Sequence, residues 1–188
     1  MNPLFAAAAD VQAFFSSHGW SSTVIGGIAV LRWGEPRQTR DVDLALLTGL
    51  GGEHRFVDPI LEQYRPRIPD ARQFALDHRV VLIETPSGVP VDVSLAGLAF
   101  EARIIDRSTP FDIVDGAAFT TCSAEDLVVL KAFADRVQDW LDIEGVIVRQ
   151  GRRLNRTLVL EELRPLLELK EDDEAESRLV GFFTKHQP

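Results

Sequence analysis

Two aspartates, Asp41 and Asp43, flank Val42 at the start of an apolar run that ends at Leu47, and a paired glycine, Gly26-Gly27, lies thirteen residues before them. On a strand, side chains two positions apart point the same way, so both carboxylates leave the sheet together. Glycines that open a helix bring bare backbone N–H groups close to an anion, and the positive end of the helix dipole favours phosphate there. A third carboxylate, Asp92, has the same apolar flanks in Val89-Pro90-Val91-Asp92-Val93-Ser94-Leu95. There the valines and Leu95 share one face and Asp92 and Ser94 the other, with Glu84 as the rival third acid. Three carboxylates meeting at one point repel and raise one another's pKa unless a cation sits among them. Mg2+, or Mn2+ in its place, takes oxygen ligands and keeps positions open for water and phosphate. Two such ions about 3.5–4 Å apart would activate an attacking oxygen and hold a leaving group. The pattern reads as a nucleoside triphosphate and metal site, with Asp41, Asp43 and Asp92 as metal ligands and catalytic residues.

The elements that must position these residues are legible as alternating patterns. Ala6 to Ser16 has helical spacing and stops at Ser17-His18-Gly19. Ser22 to Ile25 reads as a strand, Gly26-Gly27 as the turn into a helix from Ile28 to Trp33, and Val42 to Leu47 as the next strand. Pro59 to Tyr64 is expected to be helical, with Asp58 as cap and Pro66 and Pro69 as stops. Arg79 to Thr85, the turn Pro86-Ser87-Gly88 and Val89 to Leu95 form an expected hairpin whose β-branched residues suit the sheet centre. Shorter strands are expected at Phe111 to Val114 and Ala118 to Thr121.

From Ser123 the pattern becomes helical. Ser123-Ala124-Glu125-Asp126 starts a helix with a Ser cap and acids at the positive end of the dipole, and one continuous helix is expected to about Arg149. Further helices are expected from Thr157 to Leu169 and Glu174 to Phe183. On the expected wheel, Lys131, Asp135, Gln138 and Asp142 share one polar face, and Leu130, Phe133, Val137, Trp140, Leu141 and Ile147 lie opposite. Lys131 then points away from the core, either toward phosphate or into an i, i+4 pair with Asp135. The expected organisation is an α/β core over residues 1–122 and a helical C-terminal subdomain over 123–188.

The 188 residues, 45% hydrophobic and 26% charged, suffice for one sizeable core. A formal net charge of −9 argues against broad nonspecific nucleic-acid binding, because the long-range field repels phosphates unless a local basic patch overrides it. The basic run Arg149 to Arg156 reads first as an interhelix loop with helix-end cations and, as the alternative, as a polyanion contact, ahead of the acidic stretch Glu171 to Glu174. Cys122 is the single cysteine, so no intrachain disulfide forms and a cytoplasmic location is expected. No window is long and apolar enough for a membrane span, and the start lacks the basic residues of a signal peptide. His18, His54, His78 and His186 have no metal-ligand spacing, and Trp33 and Trp140 are expected to fill core. Arg37 and Arg40 flank the turn before Asp41, where they face either phosphate or solvent.

The run GGIAVLRWGEPRQTRDVDLAL, followed later by an Asp between apolar strand residues and by SAEDLVVLKAFADRVQDWLDIEGVI, resembles the AbiEii-like nucleotidyltransferases of the DNA polymerase beta-like superfamily, some of which are toxins of toxin-antitoxin pairs. The likeness spans roughly Val24 to Val148. It implies a mixed-sheet α/β (α+β) nucleotidyltransferase core with packed helices, followed by a helical C-terminal segment. It also implies transfer of a nucleoside monophosphate from an NTP to an acceptor hydroxyl, with release of pyrophosphate. Gly26 and Gly27 would cradle the triphosphate, Asp41 and Asp43 would bind metal, Asp92 would complete the site as metal ligand and general base, Lys131 would match a phosphate-facing lysine, and Asp139 with Asp142 a later D-x-x-D; Gln138 stands where such proteins often have lysine. The acceptor, whether tRNA, protein or small molecule, is open, as is a small cognate partner protein. A nucleotide-binding regulatory partner with little turnover is the alternative. A glycosyltransferase would also use Asp-x-Asp, but needs a larger domain before it.

Overall fold

The computed structural model describes residues 2–112, 118–171 and 174–186. The chain divides into two compact units, Met1–Ile28 with Gln38–Cys122, and Ala29–Arg37 with Ser123–Pro188.

The first unit is built on a seven-stranded mixed sheet, ordered β3-β4-β5-β2-β1-β7-β6. Its strands are β1 (Ser22–Ile25), β2 (Val42–Leu47), β3 (Arg65–Pro66), β4 (Val80–Glu84), β5 (Pro90–Ala96), β6 (Thr109–Asp112) and β7 (Ala118–Thr121). β2 lies at the centre, antiparallel to β1 and parallel to β5. Val42, Leu44 and Leu46 of β2 are completely buried, and Val91 and Val93 of β5 join them. Each such side chain is worth about 1.5–3 kcal/mol of burial. This alternation fixes the register: a slip of one residue would turn the valines outward and the aspartates into the core. The expected hairpin of β4 and β5 is present, closed by Thr85 N–H to the Val89 carbonyl at 3.0 Å. Of the strand expected at Phe111 to Val114, Ile113 and Val114 lie outside the described residues.

Helix α1 (Pro3–Ser17) packs on this sheet through Ala7, Ala8, Val11 and Phe15, and Asn2 caps it by accepting from the Leu4 amide at 3.0 Å. Helix α2 (Gly26–Trp33) follows β1 directly. Helix α3 (His54–Gln63) corrects one expectation. It begins five residues before Pro59, which lies inside it. The amides of Phe56 and Val57 both donate to Glu53, and Val57 and Ile60 are fully buried, so core contact extends the helix past the point where proline would otherwise start it. Two further helices, α4 (Ala71–His78) and α5 (Ala99–Asp106), have no counterpart in the sequence reading. In α4 only the small Ala71 and Ala75 are buried, whereas α5 is started by Glu101, which accepts from the Gly97 and Leu98 amides at 2.7 and 2.8 Å.

The second unit contains α6 (Ala124–Ala134), α7 (Val137–Gln150), α8 (Arg156–Lys170) and α9 (Ala175–His186). α6 packs against α7 and α8, and α9 against α6, α7 and α8. Ser123 caps α6, accepting from the Asp126 amide at 3.0 Å. The continuous helix expected from Ser123 to Arg149 is in fact broken, because Asp135 adopts a left-handed conformation (φ 55°). Trp140 Nε1 donates to the Asp135 carboxylate at 2.5 Å and holds the break. No described helix is long and apolar enough to cross a membrane.

Candidate active site

One lateral row across the sheet organises the site. Ile25 of β1 lies opposite Asp43 of β2, Asp43 opposite Asp92 of β5, and Asp92 opposite Leu82 of β4. Partners in such a row stand about 4.8 Å apart on neighbouring strands. Asp43 and Asp92 therefore lie side by side, whereas Glu84 is aligned with Pro90 and pairs with Arg65 at 3.3 Å.

Immediately after Ile25 the chain turns into α2, and the geometry there admits only glycine. Gly26 has φ +59°, and a Cβ on it would come within 1.9 Å of Asp43 Oδ2. A Cβ on Gly27 would meet Thr39 Oγ1 at 2.3 Å. The Gly27 amide points at Asp43 Oδ2, 3.4 Å away, and the Thr39 hydroxyl donates to Asp41 Oδ1 at 3.1 Å. The paired glycines thus let a helix start and a carboxylate come close together, and Thr39 orients the other aspartate of the pair. Arg40 is exposed.

Asp92 is one-third exposed and receives a salt bridge from the Arg67 guanidinium. Burial pushes its carboxyl above the usual value of 3.8; Arg67 pulls it down and the negative charge of Asp41 pushes it up, with a net rise.

Among the described residues no three His, Cys, Asp or Glu side chains are gathered closely enough to hold a metal ion as they stand. In chemistry the aspartates suit magnesium, which binds through one or two carboxylates together with waters and substrate phosphate. Asp43 and Asp92 are aligned on adjacent strands, Asp41 adds its field, every donor is a carboxylate oxygen, and the glycine turn leaves a cradle that a Cβ would fill.

Lys131, Asp139 and Asp142 come together in the second unit. Lys131 is only 6% exposed, contrary to the solvent-facing position expected for it. Its ammonium lies 2.8 Å from Asp139 Oδ1 and 2.7 Å from Asp142 Oδ2. Arg37 forks onto Asp142 at 2.8 and 2.9 Å, and Gln138 donates to the same carboxylate at 3.1 Å. Burial raises the Asp142 carboxyl, but these donors outweigh it and hold it below its ordinary value. Asp139 Oδ2 is buried without a hydrogen bond, 3.6 Å from Arg136 Nε. The expected Lys131–Asp135 pair does not form: with the helix broken at Asp135, Lys131 turns inward to Asp139 and Asp142 of the next helix.

Trp140 is buried, stacked on Phe182 and covered by the Arg178 guanidinium, whereas Trp33 is half-buried beneath Arg32. Phe133, Val137 and Leu141, expected in the core, are 38%, 83% and 59% exposed. Within the Arg149 to Arg156 run, Arg149 bonds the Gly34 carbonyl at 2.5 Å and Arg153 the carbonyls of Arg149 and Gln150, as helix-end cations do. Arg67 and Thr39 were not anticipated. Thr39 had a local signal, a hydroxyl two residues before Asp41; Arg67 had none, since its relation to Asp92 exists only across the folded sheet.

No protein-family model matches the chain, and no curated protein does. Solved structures do match. The crystal structure of an antigenic nucleotidyltransferase-like protein from Paracoccidioides brasiliensis aligns with a TM-score of 0.54 at 15% identity, over 98% of this chain and 93% of that one. The chain has a nucleotidyltransferase-like fold. The solution structure of the antibiotic-resistance factor ANT(2'')-Ia aligns with a TM-score of 0.50 at 19% identity, over 89% of each chain. The mixed α/β architecture expected from the sequence is thus present.

Proposed function

We propose that this chain is a magnesium-dependent nucleotidyltransferase of the AbiEii-like kind, moving a nucleoside monophosphate from an NTP onto an acceptor hydroxyl. The observation that carries the reading is the row in which Asp92 and Asp43 face one another beside the glycine turn that opens α2. The Gly26 and Gly27 amides would receive the triphosphate, with Arg40 as a flanking cation. Asp41, Asp43 and Asp92 would hold magnesium, which when bound neutralises phosphate charge and lowers the barrier to attack on phosphorus. Asp92 would take the proton of the acceptor hydroxyl. The acceptor oxygen then bonds the α-phosphorus, the bond from that phosphorus to the oxygen bridging to the β-phosphate breaks, and pyrophosphate leaves. Positioning and charge neutralisation supply most of the acceleration.

In the second unit, a nucleotide role for Lys131, Asp139 and Asp142 requires the ammonium to exchange carboxylate partners for phosphate oxygens. The charge of the whole chain favours an acceptor other than bare nucleic acid.

The test is transfer from α-labelled NTPs, with Mg2+ or Mn2+, to tRNA, protein and small hydroxylated acceptors. Label transfer with pyrophosphate release is expected. Its survival in a folded Asp41→Ala, Asp43→Ala protein would refute the site. Nucleotide binding without any pyrophosphate release favours the regulatory partner instead.

A further inference from the structure

The row that aligns the aspartates extends one strand beyond Leu82. Pro66 ends β3, and the backbone N–H of the next residue, Arg67, donates to the Leu82 carbonyl at 3.0 Å. Leu82 is itself the register partner of Asp92. The backbone of Arg67 is thereby pinned two strands from Asp92, at about 10 Å, and its long side chain passes over Leu82 to reach that carboxylate. The two side chains are 27% and 33% exposed, so the ion pair is within reach of solvent and can open without unfolding. Asp43 lies beside Asp92 in the same row, and Arg67 supplies a countercharge to the carboxylate that would complete the metal site.

We propose that Arg67 is a positioning residue that holds Asp92 in the metal-free protein and competes with the divalent cation for that carboxylate, thereby setting the affinity of the site for metal. The guanidinium and the ion neutralise the same oxygens, so the carboxylate passes from one to the other. Metal therefore binds more weakly than three free aspartates would allow, and Asp92 stays oriented while the site waits for metal. This rests on the metal reading of Asp41, Asp43 and Asp92.

The experiment is a Mn2+ titration of the full chain without nucleotide, following free Mn2+ by electron paramagnetic resonance. An exposed ion pair is worth up to about 1 kcal/mol, so Arg67→Gln binds Mn2+ about five-fold more tightly than the parent, and Arg67→Lys, which keeps the charge, stays within about two-fold. In an Asp92→Asn background Arg67→Gln changes the affinity less than about two-fold, which separates direct competition from a diffuse field effect. Equal or weaker binding by Arg67→Gln, or the same gain in the Asp92→Asn background, overturns the proposal. Circular dichroism confirms that each variant is folded. Mn2+ binding that needs Asp41 and Asp43 but ignores Arg67 removes this proposal alone. Binding that persists unchanged in Asp41→Asn, Asp43→Asn, or that is absent from parent and variants alike, removes the metal reading with it.

Discussion

The two acidic groups of this protein make opposite use of similar side chains. In the helical unit, Asp139 and Asp142 face Lys131, Arg37 and Arg136, and Lys131 and the two carboxylates are themselves buried. Asp142 is consequently held ionised, its carboxyl below its ordinary value. In the sheet unit, Asp43 and Asp92 are aligned on adjacent strands, and Arg67 pairs with Asp92, whose carboxyl is nevertheless raised. A buried cluster whose carboxylates are held by several cations has little left to offer a ligand, and a group of carboxylates partly open to solvent has more. Aspartates at short spacing therefore become informative only once their countercharges are known.

Breaking each group should give contrasting losses. Asp41→Asn with Asp43→Asn is expected to lower nucleotidyl transfer by at least about 10³-fold, as removal of a metal site does, while the melting temperature holds or rises through relief of repulsion. Labelled-NTP transfer and thermal melts read the two effects side by side. Lys131→Ala is expected to do the reverse to stability, costing about 3–5 kcal/mol by leaving two buried carboxylates without their shared cation, as a urea titration would measure. Gly26→Ala falls between them. The methyl group meets Asp43 Oδ2 on a backbone of positive φ, so about 1–3 kcal/mol of stability is lost together with most Mn2+ binding.

The comparison sharpens in the pH dependence. Observed by carboxyl-carbon NMR in the metal-free protein, Asp92 should titrate above 3.8 and Asp142 below it. For Asp142 the folded value is depressed, so its contribution to stability is complete above 3.8 and disappears as pH falls through the folded value. For Asp92 the folded value is raised, so its contribution is complete below 3.8 and disappears as pH rises through the folded value. The smallest effect is expected from Glu84→Gln, which removes an exposed pair with Arg65: less than about 1 kcal/mol, and transfer unchanged within error.

Local alternation made much of the sheet unit readable. Val42, Leu44 and Leu46 fix which way Asp43 faces, and Val91 and Val93 do the same for Asp92, so the carboxylate face was legible before any coordinates. What alternation cannot supply is pairing between distant strands. The alignment of Asp43 with Asp92 comes from the parallel pairing of β2 with β5, and Arg67 arrives from the sheet edge through the antiparallel pairing of β3 with β4; neither has a local signature. The helices α4 and α5 were missed for a different reason: α4 buries two alanines, too slight an apolar stripe to register, and α5 is started by a glutamate accepting from the two amides just before it. A left-handed aspartate at position 135 defeated the helical wheel. With no glycine to announce the break, the wheel points Lys131 away from the core, toward phosphate or Asp135, whereas it turns inward to two carboxylates of the next helix.

Because Asp43 and Asp92 meet only through the parallel pairing of β2 with β5, the carboxylate row cannot preassemble in a fragment or an early hairpin. Parallel pairing closes a long loop and is slow. On a refolding chain, recovery of Mn2+ affinity would therefore trail the return of helical signal and act as a clock for the last stretch of the sheet to zip.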